Sequence, residues 1–284
     1  MVKSMVDILK FSRDMAYGSG AIMRRYWKRP VAARKKANGT WVSEVDLRIS
    51  RYVCEQVAVR FPEFSLLTEE TCDQYKPKVR GFIVDELDGT HTFLNHGKGF
   101  TFQMAYVDDW DQILMGLIYD PIDDVMVWGV KGQGAWISRM GHVSQLLPPT
   151  DRAWDELRFG HHRYRYAPSQ WKLYQQLGVQ PHQIIPTGSI GSKGLTLATG
   201  KVDAIIGLYR HIPVWDWSPG SVILQELGFA TCHFDGHPLH PSELRTPHAF
   251  GYLVCPEAHK AHFLQEFAWL ANKFPFPEAL SSCA

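Results

Sequence analysis

Three short segments of this chain carry acids where chemistry could use them. In Ile83-Val84-Asp85-Glu86-Leu87-Asp88-Gly89-Thr90 an apolar run leads into a cluster of acids, a glycine and a threonine. Carboxylates at the end of a strand can converge on a hard cation, which prefers oxygen ligands, and a turn could aim both Asp85 and Asp88 inward. Gly89 would let a phosphate approach the backbone, and amides opening a following helix could hold it. An acidic surface turn explains this segment alone as well as a metal site does.

Two further segments change that balance. Leu66-Leu67-Thr68-Glu69-Glu70-Thr71 is another apolar run ending in paired acids, and Val214-Trp215-Asp216-Trp217-Ser218 sets an acid between tryptophans just before a helical pattern. Taken singly, Glu70 reads as a solvated neighbour or a supporting group, and Asp216 as a helix cap. Asp46, in Val42-Ser43-Glu44-Val45-Asp46, reads as an acid favoured by the dipole at a helix start.

Together, and in this order, the segments resemble the inositol monophosphatase family, which includes bisphosphate nucleotidases and some fructose-bisphosphatases. Glu69-Glu70 matches the family's Glu-Glu pair, and Asp85-Glu86-Leu87-Asp88-Gly89-Thr90 matches Asp-Pro-(Ile or Leu)-Asp-Gly-Thr. Trp215-Asp216 matches the Trp-Asp that opens a late helix, and Val42 to Asp46 matches Val-Thr-x-x-Asp. The resemblance covers nearly the whole chain. It implies an α/β fold of alternating helix and sheet layers, and a Mg2+-dependent phosphomonoesterase using two or three Mg2+ ions. One metal is implied on Glu69, Asp85 and the backbone carbonyl of Leu87, and a second on Asp85, Asp88 and Asp216. Such ions make a nucleophile of a water and stabilise the leaving alkoxide. Asp46 and Thr90 would relay the water's proton, with Glu69 orienting the water. The amides of Gly89, Thr90 and His91 would face the phosphate.

Departures from the pattern bear on metal affinity and substrate. Glu86 stands where the family has proline, which removes a backbone restraint and adds a charge near the ions. His91 replaces the usual Thr or Lys and either donates to a phosphate oxygen or lies exposed at the helix start. An acid that contacts inositol hydroxyls in animal-type members is here Tyr209, beside Arg210. Lys193, in Gly188-Ser189-Ile190-Gly191-Ser192-Lys193, is similar to a lysine of the bisphosphate nucleotidases; it meets a second phosphate or is a solvated helix lysine. Ser189, Lys193, Tyr209 and Asp216 are the expected substrate contacts beyond the phosphate loop. The run Gly160-His161-His162-Arg163-Tyr164-Arg165-Tyr166 is the one basic and aromatic patch, able to grip a nucleotide or to be a polar loop. Against the nucleotidase reading, Gly89-Thr90-His91-Thr92-Phe93 lacks the Lys-Glu-Phe ending of that branch. The expected function is hydrolysis of a small phosphorylated metabolite. The alternatives are a 3′(2′),5′-bisphosphate nucleotidase and, in another class, a catalytically silent binding relative.

The elements that must position these residues are legible in outline. Apolar or small residues at helical spacing from Met5 to Tyr26 predict a first helix that Pro30 would stop. Ile49, Val53 and Val57 predict a second helix from near Asp46. Short apolar runs at 82–84, 101–107, 113–119, 125–130 and 135–137 predict a mostly antiparallel meander. The polar stretch Gly141 to Asp155 is the expected seam between an N-terminal half, 1–145, that holds most of the metal motifs, and a C-terminal half, 146–284, that selects substrate. In that second half, helices are expected at 171–177, 191–199 and 218–227, and strands at 184–185 and 202–207.

With 30 basic and 29 acidic side chains in 284 residues, no global field recruits a nucleic-acid polymer or an anionic membrane. The five cysteines are odd in number and lack metal-ligand spacing, which points to a reduced, cytoplasmic setting. No apolar stretch reaches membrane-spanning length. A homodimer is left open.

Overall fold

The computed structural model describes residues 3–273 apart from 38, 71–75, 77–78, 109–111, 151, 163–167, 209–211 and 240–250. Two helices start the chain's architecture. Helix α1 (Met5–Tyr26) opens with a capping box in which Ser4 and Asp7 satisfy each other's end of the first turn. It ends before Pro30, with Lys28 at φ 60° turning the chain away. A short antiparallel pair, β1 (Ala33–Lys35) and β2 (Trp41–Ser43), leads into α2 (Glu44–Arg60). Val45, Ile49, Val53 and Val57 recur every four residues on α2 and are all buried, whereas Arg48, Arg51, Glu55 and Arg60 stay exposed.

The next elements are β3 (Ser65–Thr68), β4 (Gly81–Asp88), α3 (Thr90–Leu94), β5 (Thr101–Asp108), β6 (Gln112–Asp120), β7 (Val125–Val130), β8 (Gly134–Arg139) and β9 (His142–Leu146). Their strands form one sheet in chain order, β3 and β4 parallel and every later pair antiparallel. Strand β9 takes up residues 142–146 of the polar stretch Gly141 to Asp155, so these belong to the sheet rather than to a connection. All but the last are exposed, so an edge strand with no buried face showed no alternation to read. A tight turn at Met140 and Gly141, both with positive φ, fixes the hairpin.

The second half contributes β10 (Phe159–His162), α4 (Pro168–Gln176), β11 (Ile184–Thr187), α5 (Ile190–Ala198), β12 (Ala204–Gly207), α6 (Val214–Glu226), β13 (Phe229–Cys232), β14 (Tyr252–Pro256) and α7 (Glu257–Lys273). Its sheet runs β11-β10-β12-β14-β13, with β10 parallel to both neighbours and β14 antiparallel to both of its own.

Alternation along the strands builds a layered α/β fold. Phe82 and Val84 of β4 pack with Phe11, Met15, Ile49 and Val53 of α1 and α2, while Ile83 points the other way, to a core shared with Leu197, Ile223 and Val254. The far side of the second sheet packs Phe159, Ala204 and Leu253 on Tyr174 of α4 and Phe263 of α7. The order is therefore helices, seven-stranded sheet, α5 and α6, five-stranded sheet, helices. Two glycines set the central layer: a Cβ on Gly116 of β6 would lie 1.9 Å from the Pro219 carbonyl oxygen, and one on Gly129 of β7 2.8 Å from Ile223 Cα. Helix α6, which carries Asp216, lies on the sheet at backbone contact.

Among the described residues no helix is long and apolar enough to cross a membrane. Cys54, Cys232 and Cys255 are not in disulfides among the described residues, and Cys72 and Cys283 lie outside them.

Candidate active site

Strand β4 is buried along its whole length, acids included. The alternative of an acidic surface turn is thus removed: the acids lie at the end of the strand itself, where a register shift against β5 between Asp85 and Asp88 breaks the regular alternation. Helix α6 begins at Val214, earlier than expected, with Pro213 at its cap, so Asp216 sits in the first turn rather than at the cap. Its start is aimed at the bulged end of β4. Asp85, Asp88 and Asp216 each offer a carboxylate oxygen within 4.8 Å of the other two.

This trio is held from several sides. The Leu87 N–H donates to Asp85 Oδ1 at 3.1 Å. Asp88 Oδ2 accepts from the Gly191 N–H at 2.6 Å and from the Thr101 hydroxyl at 3.2 Å, and Asp88 also bonds the Ser189 side chain. Ser189 caps α5, so the helix expected to touch substrate also fixes a ligand candidate. Burial, then the charges of Glu69, Asp88 and Asp216, raise Asp85 well above the usual carboxylate range. Burial and Asp88 do the same to Asp216, and burial raises Asp88 despite its three hydrogen bonds. Like charges crowded in a low dielectric repel and take up protons unless a cation joins them. Such an oxygen-only donor set fits a hard divalent cation.

Glu69 lies at the rim of this group. Its charge acts on Asp85 and Asp216, but its Oε1 is held 2.7 Å from the Lys36 ammonium, outside the tight trio. Lys36 follows β1 and also pairs with Glu70 Oε1 at 2.6 Å. Burial pulls the Lys36 ammonium down, yet the two glutamates outweigh it and hold it above its ordinary range. Of the two readings of Glu70, the supporting group fits and the solvated neighbour does not, since burial pushes it up to about 7 even against the Lys36 contact. Nothing in the sequence singled out Lys36, because its partners are 33 and 34 positions away.

The structure also joins Asp46 to Thr90. The Thr90 hydroxyl lies 2.9 Å from Asp46 Oδ1 and 3.1 Å from the Leu87 carbonyl. Asp46 Oδ2 meanwhile accepts the Ser43 N–H at 2.8 Å in the capping box of α2. The two readings of Asp46, helix-start acid and partner of Thr90, are both realised, one on each oxygen. Burial raises its carboxyl against the bonds from Ser43 and Thr90.

The remaining expected contacts divide. Gly89 takes φ 90°, the left-handed conformation that lets β4 turn into α3. His91 is exposed, with a ring nitrogen 3.3 Å from the Asn95 amide. Lys193 is 4% exposed, which removes the solvated-surface alternative. Tyr209 and Arg210 lie outside the described residues, as do 163–167 of the basic and aromatic run, whose Gly160–His162 portion forms part of β10. Sequence reasoning missed Gly191 and Thr101. A Cβ on Gly191 would lie 2.3 Å from the Thr101 hydroxyl and 2.9 Å from Asp88 Oδ2, so glycine there lets α5 reach the acids.

The layered α/β fold brings together three aspartates, two buried and one half-buried, as an oxygen-only set that could hold a metal ion, and the family to which the chain is matched is one of phosphoric monoester hydrolases. The chain belongs to the inositol monophosphatase family, whose profile matches residues 4–268. It is 26% identical over 228 residues, 78% of this chain and 82% of the relative, to the 3′(2′),5′-bisphosphate nucleotidase CysQ of Haemophilus influenzae. It is 24% identical to the inositol-1-monophosphatase of Bacillus subtilis, over 69% of this chain and 74% of that one. Its fold matches the solved structure of a Thermotoga maritima IMPase with a TM-score of 0.80 at 20% identity, covering 94% and 99% of the two chains.

Proposed function

We propose that this chain hydrolyses the phosphomonoester of a small metabolite in a Mg2+-dependent reaction. The observation that carries this reading is the convergence of the buried Asp85 and Asp88 with the half-buried Asp216 from two distant parts of the sequence. These three, with Glu69 and the Leu87 carbonyl, would hold the ions. When bound, Mg2+ supplies an activated water and charge stabilisation for the leaving oxygen.

The chain's own groups do the rest. Thr90 Oγ1, already hydrogen-bonded to Asp46 Oδ1, can take the proton of an attacking water while passing its own to Asp46. Glu69 orients that water, a role open to it once Lys36 yields one of its contacts. The backbone at Gly89, Thr90 and His91 faces the phosphate, with the exposed His91 ring near the entrance. Helix α5, anchored on Asp88 through Gly191 and Ser189, brings Lys193 to the substrate side. Tyr209 and Arg210 complete the substrate contacts in this reading. The substrate is a sugar or inositol monophosphate, or a nucleoside bisphosphate, matching the two kinds of relative.

The test is phosphate release from a panel of inositol phosphates, sugar phosphates and nucleoside bisphosphates, with and without Mg2+. Release that requires Mg2+ and is confined to one of these classes is expected. A folded protein that releases no phosphate from any of them would instead be a silent binding relative.

A further inference from the structure

Glu86 is a carboxyl at a position where the fold asks for an apolar group. On β4 it continues the stripe of Phe82 and Val84 toward α2, and it is 1% exposed. Burying a carboxyl in a core face costs several kcal/mol unless it is well bonded. Its Oε1 has no hydrogen-bond partner among the described residues. Burial, with Glu70 and Glu69 nearby, pushes the group up to about 8. A core-filling role would be served better by leucine, so the polar contacts must account for the residue.

Those contacts connect three pieces of the site. Glu86 Oε2 accepts the Glu69 N–H at 3.2 Å, sharing it with the Val84 carbonyl at 3.2 Å. The same side chain bonds that of Ser50. Ser50 lies one helical turn beyond Asp46 on the buried face of α2. The backbone of Glu86 itself sits between Asp85 and Leu87. One side chain therefore touches the segment bearing Glu69 and the helix bearing Asp46, from a strand that bears Asp85 and Asp88.

We propose that Glu86 is a positioning residue, which holds Glu69 and α2 in register with the aspartates of β4 and supplies by side-chain bonds the restraint that proline gives at this place in the resembling motif. A proline has no acceptor for Glu69 and no partner for Ser50, so the two solutions are physically different. The inference rests on the metal-site reading above for its functional consequence, though not for its geometry.

The test compares Glu86→Leu, which keeps the bulk, with Glu86→Gln, which removes the charge but keeps one oxygen able to accept the Glu69 N–H. Mg2+ binding is followed by titration calorimetry, the exchange of the Glu69 amide by NMR, and stability by urea unfolding. Glu86→Leu is expected to weaken Mg2+ binding about tenfold and speed Glu69 exchange, and Glu86→Gln to restore both to within about threefold. A packing role alone would lower the urea midpoint of Glu86→Leu and leave Mg2+ affinity and Glu69 exchange unmoved, which overturns the proposal. A glutamine variant as impaired as the leucine variant also overturns it, since charge rather than bonding would then matter. Should Glu86→Leu not fold, Ser50→Ala cuts one bond only: a loss of Mg2+ affinity of about threefold upholds the proposal, and none overturns it. If the wild-type protein takes up no Mg2+, the proposed function falls, and Glu69 exchange alone decides the positioning role by the same criteria.

Discussion

Two of the places where the molecule buries aspartates treat them in opposite ways. Asp203, just before β12, accepts from the Arg158 N–H and Nε at 2.8 Å each and from Arg158 Nη2 at 2.9 Å. Arg158 Nη2 also reaches the Gly200 carbonyl at 2.6 Å. That carboxylate is fully answered by the protein, and it fastens the start of β10 beside β12. Asp85 and Asp88 are as deeply placed and Asp216 is half-buried; Asp85 and Asp88 accept hydrogen bonds, yet the three acids crowd one another's charge. A buried charge answered within the chain serves the fold, whereas several left to repel each other hold their place for something that arrives from outside.

The sharpest way to break this contrast is to neutralise one acid in each place. Asp85→Asn should cut phosphate release at least about a thousandfold, roughly 4 kcal/mol of transition-state stabilisation, because both implied ions lean on it. Its metal-free stability should be unchanged or higher, since one of several crowded charges is gone. Asp203→Asn should do the reverse, lowering stability by about 2 kcal/mol by leaving Arg158 underbonded while kcat in the folded fraction stays near normal. Urea unfolding and single-substrate kinetics on both variants decide it. Two variants with the same profile would erase the distinction.

A smaller effect sharpens the comparison through pH. Asp85 and Asp216 lie well above the carboxylate range when folded, Glu70 near 7 and Glu86 near 8. The folded metal-free protein thus keeps protons that the unfolded chain has already released. Stability then falls as pH rises, across a window from roughly 5 to 8, with each such proton contributing up to about 1.4 kcal/mol per unit. In the proposed reaction Mg2+ would replace the protons as the answering charge and flatten the slope. Denaturation midpoints measured across this window in chelator and in excess Mg2+ test it, and stability that rises with pH in chelator would contradict the reading.

How much of this was legible in the sequence depends on distance along the chain. The helices α1 and α2 and most of the first sheet follow from local periodicity, and the acids follow from motifs a few residues long. What the sequence hid was either without a buried face, like β9, or settled by partners far away. Lys36 is fixed by Glu69 and Glu70, and Gly191 by Asp88 103 positions earlier, neither of which leaves a local mark. The two readings of Glu70, solvated neighbour and supporting group, could not be separated for the same reason, because an acid beside an acid looks solvated until a distant lysine covers it. The layered fold was read from a resemblance rather than from patterning, since short apolar strands do not by themselves reveal which sheet they join.

The smallest expected effect concerns Lys193, which lies between the two regions in kind. Its side chain is buried where that of Arg158 is only half-buried, and it sits two residues beyond Gly191, on the helix that grips Asp88. A buried lysine can serve the fold or can await an anion, and substrate charge separates the two. If it meets a second phosphate, Lys193→Ala should raise KM about tenfold, roughly 1.4 kcal/mol, for doubly phosphorylated substrates and hardly at all for singly phosphorylated ones. Lys193→Met, which keeps most of the stem without the charge, should show the same selective loss with less cost in stability. Equal losses on both substrate classes, accompanied by a lower urea midpoint, would place Lys193 with Arg158 among the groups that serve the fold. An inositol or other sugar monophosphate would then be the better substrate to pursue.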